Sequence, residues 1–122
     1  MKLNVTRFFQ AQQAIKVFHW MTDDYSLHVL LDDFLSDYNK IMDDIVENVL
    51  SVGDVQLELN DVPVFEGAFT HLHVLMQLVE QCFFEINENI DIMPKGMRTI
   101  MDEAKQFTDK YKYLFRKFNY GE

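Results

Sequence analysis

Apolar residues recur at steps of three and four along most of this chain, the period of amphipathic helices. Phe8, Ala11, Ile15 and Phe18 mark the first such stretch and predict a helix from about Thr6 to Trp20. Thr22-Asp23-Asp24 follows with turn and N-cap residue types. A longer stretch carries Leu27, Leu31, Phe34, Tyr38, Ile41 and Ile45. It predicts a helix from about Tyr25 to Val52, closed by Gly53 as a C-cap. The third stretch, about Ala68 to Asn89, repeats through Leu72, Leu75, Val79, Phe83 and Ile86. Pro94 marks the start of the fourth, about Lys95 to Asn119, whose seam is Ile100, Ala104, Phe107, Tyr111, Leu114 and Phe118.

The helical period fails between residues 54 and 66. Val55, Leu57 and Leu59 alternate with polar residues, and Pro63 cannot continue a helix. Thirteen extended residues at about 3.3 Å each reach about 43 Å, more than the helices they join. Two short connections and one long one predict an all-α four-helix bundle with a long crossover between the second and third helices.

The chain has 122 residues, 48% of them apolar, with four Gly and two Pro, which predicts one ordered domain over 1–122. Its formal net charge of −9 sets it against nucleic acid phosphates and anionic bilayers, so neither DNA nor a membrane is an expected partner. Cys82 is the single cysteine, which rules out a disulfide framework. No apolar run reaches the length of a bilayer span, and the first residues lack a signal-peptide core, so the expected location is the cytoplasm.

One group of polar residues points to a chemistry. His28, Asp32, Asp43 and Glu47 follow one another at steps of four, eleven and four. At 3.6 residues per turn they fall within about 100° of arc. The apolar seam of the same helix lies on another side, and Asp33, Asp37, Lys40 and Asp44 between the two read as a solvated face. Imidazole and carboxylate together suit iron, manganese or zinc. Acids four apart on a helix repel by a few tenths of a kcal/mol, which a bound cation relieves. His28 and Asp43 are about 22 Å apart along the axis, so one metal cannot reach both clusters of one chain. The chain also lacks the Glu-x-x-His motif of sites built inside a single bundle. An antiparallel two-fold pairing of the helix brings His28 and Asp32 of one copy against Asp43 and Glu47 of another.

The segments Phe18-His19-Trp20, His28-Val29-Leu30-Leu31-Asp32, Met42-Asp43-Asp44-Ile45-Val46-Glu47 and Ser51-Val52-Gly53 together resemble the mini-ferritins, the Dps-like proteins. The resemblance covers roughly the first 50 residues. It implies a ferritin-like bundle, a homo-oligomer and a ferroxidase centre between two-fold-related subunits that oxidises Fe(II) with peroxide or dioxygen and sequesters the product. It assigns His19, His28 and Asp32 to one half of the centre and Asp43 and Glu47 to the other. It gives Trp20 the role of an electron-donating neighbour. Iron is the expected metal, with manganese or zinc as alternatives. The chain departs from the family in a shorter His19-to-His28 interval and a reduced middle connection.

Two readings compete with this one. One is a non-catalytic helical interaction module that keeps the bundle with a decayed metal site. The other is a structural metal at a dimer interface. Elsewhere the residues have plainer explanations. His71 and His73, two apart, are expected on opposite sides of the third helix. Met42, Met76, Met97, Met101 and Cys82 are expected in the core. Lys105, Lys110, Lys112, Arg116 and Lys117 suit the negative end of a helix dipole.

Overall fold

The computed structural model describes residues 2–61 and 66–118. Four α-helices carry most of them: α1 (Thr6–Met21), α2 (Tyr25–Leu50), α3 (Leu72–Glu88) and α4 (Met97–Phe115). α1 packs on α2 and α3, and α4 packs on the same two helices. Every seam residue expected in α1, α2 and α3 is buried. In α4, Ala104, Phe107 and Tyr111 are buried, while Ile100, Leu114 and Phe118 pack half-buried against the core. Phe115, outside that seam, is fully buried, its ring edge-on to Phe34 at 5.1 Å. All four methionines named above and Cys82 lie in the core as expected.

The helix ends follow local chemistry. Asp24 caps α2 by accepting the Leu27 N–H at 3.1 Å. α2 stops at Leu50, two residues before the expected Val52. There the N–H groups of Val52 and Gly53 turn to the carbonyls of Val49 and Leu50, three residues back. Gly53 then takes φ +76°, a left-handed conformation open to glycine.

The third helix begins at Leu72, not at the expected Ala68. Glu66–Phe69 forms a 3-10 turn instead, and the Gly67 carbonyl accepts the N–H groups of both Thr70 and His71. His71 is therefore the N-cap in an extended conformation, and helical spacing does not govern its direction. The rings of His71 and His73 come within 5.9 Å of each other rather than to opposite sides. The fourth helix begins at Met97, after a turn in which Pro94 accepts the Met97 N–H. The helix break expected at Pro63 lies outside the described residues; the fourth helix, expected to run to about Asn119, ends at Phe115, where the N–H groups of Lys117 and Phe118 turn to the carbonyls of Leu114 and Phe115, three residues back.

The all-α expectation omits one feature. β1 (Lys2–Asn4) pairs in parallel with β2 (Gln56–Glu58), with Leu3 opposite Leu57. The ladder continues as the Val5 N–H donates to the Glu58 carbonyl at 2.9 Å, and it holds the start of the α2–α3 connection beside the start of α1. At the same end Arg7 of α1 pairs with Glu85, in the last turn of α3, at 3.0 Å. Among the described residues, no helix is long and apolar enough to cross a membrane.

Candidate metal centre

α1 and α2 are joined by only three residues, Thr22 to Asp24, which brings the end of α1 against the first turns of α2. His19 and His28 meet there. Their rings stack with centroids 3.8 Å apart and planes inclined by 18°. Nδ1 of His19 lies 2.8 Å from the His28 carbonyl oxygen, and Nδ1 of His28 lies 2.6 Å from the His19 carbonyl oxygen. A carbonyl only accepts, so both Nδ1 atoms carry the proton and donate. In the neutral rings the remaining lone pair is then on Nε2 of each residue. A backbone carbonyl on the far nitrogen is the usual partner that orients a metal-ligating histidine.

The carboxylates are arranged differently. Asp32, Asp43 and Glu47 are exposed on α2, and His28 beside them is half-buried. Asp32 follows His28 by one helical turn, but Asp43 and Glu47 lie further along the same helix. Among the described residues of one chain, no three His, Cys, Asp or Glu side chains are grouped closely enough to hold a metal ion. The fold thus brings together His19 and His28 and leaves the acids spread along one open face. Nitrogen lone pairs held by their second nitrogen, beside unpaired carboxylates, fit a borderline metal in donor type.

Trp20 is 66% exposed, beside the histidine pair in sequence, with the Lys16 ammonium 5.5 Å from its ring centroid. Tyr25, 78% exposed, stacks on His28 with centroids 6.3 Å apart. Sequence reasoning did not single out Tyr25, although its three-residue spacing from His28 carries the signal.

The face read as solvated is only partly so. Asp37 accepts a hydrogen bond from the Tyr111 hydroxyl at 2.6 Å and lies 3.9 Å from the Lys110 ammonium, which ties α2 to α4. Burial, followed by the hydrogen bond and charge of Asp37 and then the charge of Asp33, pushes the Tyr111 phenol well up. Deeper in, burial also raises the Tyr38 phenol, with Cys82 beside it, and lifts the Cys82 thiol to about 12. Such a thiol is not a nucleophile at neutral pH, in keeping with a core role. No family model, curated protein or solved structure matches this chain.

Proposed function

We propose that this protein takes ferrous iron as its substrate at a site shared by two copies, oxidises it with peroxide or dioxygen, and sequesters the product as a Dps-like mini-ferritin does. The observation that carries the reading is the His19–His28 pair, in which each Nδ1–H is held by the other residue's carbonyl. His19, His28 and Asp32 of one copy would hold iron with Asp43 and Glu47 of the other. Manganese or zinc suits the same donors. The histidines contribute neutral nitrogen and the carboxylates contribute charge, so protons compete with the metal for every ligand. Trp20 is an oxidisable side chain adjacent to His19 and would supply an electron.

The packing supports a ferritin-like arrangement. Among the described residues α1 and α4 each pack chiefly on α2 and α3, rather than side by side as in a simple up-down-up-down bundle. The Arg7–Glu85 pair and the β1–β2 ladder favour α2 and α3 ending at the same pole. In that case α3 starts at the pole opposite the end of α2, as a crossover requires.

The test is ferrous oxidation by the His28→Ala, Asp32→Ala double variant. Neither side chain belongs to the core, so the fold should persist by circular dichroism while fast oxidation is abolished. Oxidation at the parent rate would remove this site.

A second reading, a non-catalytic interaction module, is favoured by a different observation. Tyr25, Val29 and Leu50 are 78%, 43% and 42% exposed on α2, as a protein-binding face requires. It predicts self-association or partner binding with no iron oxidation at all.

A further inference from the structure

Tyr38 and Tyr111 are both buried in the core, and their hydroxyls end on different kinds of acceptor. Tyr38 donates to the Phe8 carbonyl at 2.8 Å, an amide oxygen that accepts a hydrogen bond but does not keep a proton. Tyr111 donates to Oδ2 of Asp37 at 2.6 Å, a carboxylate oxygen that can do both. The Tyr111 ring is enclosed by Phe34, Phe107 and Phe115, with centroids 4.7, 5.1 and 5.8 Å away. Asp37 is half-exposed, and the Lys110 ammonium lies 3.9 Å from the same oxygen. An apolar ring thus has its one polar atom against a base that is open to water. Burial, then the hydrogen bond and charge of Asp37, then the charge of Asp33, push the phenol well up, so at neutral pH Tyr111 does not give up its proton alone.

We infer that Tyr111 and Asp37 form a proton-coupled one-electron donor, a redox site within a single chain between α2 and α4. Its co-reactant is a one-electron oxidant, such as a high-potential metal complex or an oxygen-centred radical. One electron leaves the Tyr111 ring for the oxidant, and the O–H proton crosses the hydrogen bond to Asp37 Oδ2. The products are a neutral phenoxyl radical, a neutral carboxyl group and the oxidant reduced by one electron. The carboxylate matters because a phenol that has lost an electron is far more acidic than a carboxylic acid, so its proton leaves with the electron when a base is in reach. No charge is then created inside the apolar cluster, where an unpaired one is costly. Tyr38 lacks this route: the Phe8 carbonyl cannot keep the proton, and loss of an electron would leave a buried cation. The packing around Tyr111 also shields its ring carbons from other molecules, which protects the radical once formed. The inference does not use the shared metal site, and neither reading depends on the other.

The experiment is flash oxidation of the metal-free full chain by photogenerated ruthenium(III) tris-bipyridine, which takes electrons but no protons. The background carries Trp20→Phe, Tyr25→Phe, Tyr113→Phe and Tyr120→Phe, which leaves Tyr38 and Tyr111 as the tyrosines. This chain should give a phenoxyl radical, read by its visible absorbance and its EPR spectrum. Adding Tyr111→Phe should abolish the radical, whereas adding Tyr38→Phe should keep it. Adding Asp37→Asn retains a hydrogen-bond acceptor but removes the proton acceptor. It should preserve the circular dichroism spectrum and slow radical formation about a hundredfold, the ordinary contribution of a positioned base. A purely structural tie between α2 and α4 would not move that rate. Heavy water gives a second measurement that leaves Asp37 in place, and there the background chain should react more slowly. No radical in the background chain, a radical that survives Tyr111→Phe, an unchanged rate in Asp37→Asn, or equal rates in light and heavy water would each overturn the inference.

Discussion

The Tyr38 hydroxyl donates to the Phe8 carbonyl at 2.8 Å, a buried bond between the middle of α2 and the first turn of α1. The Tyr111 hydroxyl makes the corresponding bond from α4 to α2, but to the half-exposed carboxylate of Asp37. Tyr38→Phe should lower the unfolding free energy by about 1–2 kcal/mol, since a buried acceptor loses a partner. Tyr111→Phe should lower it by about 1 kcal/mol or less, because water replaces the lost donor at Asp37. Urea unfolding with an unchanged slope measures both, and a larger loss at Tyr111 would reverse the assigned order.

His19 and His28 should behave as one unit. Each single change to alanine removes the stacking contact and the bond donated by the changed ring, while the backbone carbonyl at that position stays to accept from the other ring, so the two losses overlap in the stacking. A double-mutant cycle should return a coupling of about 0.5–1.5 kcal/mol. Additive losses would mean that the pair is not locked as described, and the best support for the metal centre would go with it.

Alkali should destabilise the fold. The Cys82 thiol sits at about 12 in the folded chain against an ordinary 9.0, and the phenols of Tyr38 and Tyr111 are raised as well. Above pH 9 the unfolded chain loses protons that the folded chain keeps. Unfolding is then favoured, and the stability due to these groups, complete below their unfolded values, declines as pH rises towards their folded ones. The urea midpoint should fall steadily between about pH 9 and pH 11. In the same range the Cys82 thiol should stay unreactive towards disulfide reagents until the chain unfolds. Rapid labelling of folded protein at pH 8 would contradict its burial.

Gly53→Ala should cost about 1 kcal/mol through the backbone alone. The residue has φ +76°, yet an added Cβ would meet nothing within 4 Å, so no clash contributes. Gly53→Asn should lose less, since asparagine tolerates the left-handed region better. Equal losses from both variants by thermal unfolding would argue against the positive φ.

The helices were legible in the sequence because their causes are local. A seam such as Leu27, Leu31, Phe34, Tyr38, Ile41 and Ile45 declares both the helix and its buried side, and Asp24 declares where it begins. The order of His28, Asp32, Asp43 and Glu47 along one face was also determined by spacing alone, since a helix converts sequence distance into angle. Tertiary structure decided the rest. β1 and β2 are each three residues long; the alternation of Val55, Leu57 and Leu59 marks an extended segment but not its partner, and the two pair because the fold sets distant segments side by side. Asp37 reads as a solvated acid until α4 supplies the hydroxyl of Tyr111. Trp20, apolar enough for a core, is exposed because it follows His19 off the packed side of α1. The His19–His28 lock depends on the angle at which a three-residue turn returns the chain, which no single helix encodes. Periodicity reports which side of an element is apolar, whereas contacts between elements depend on where the other elements lie.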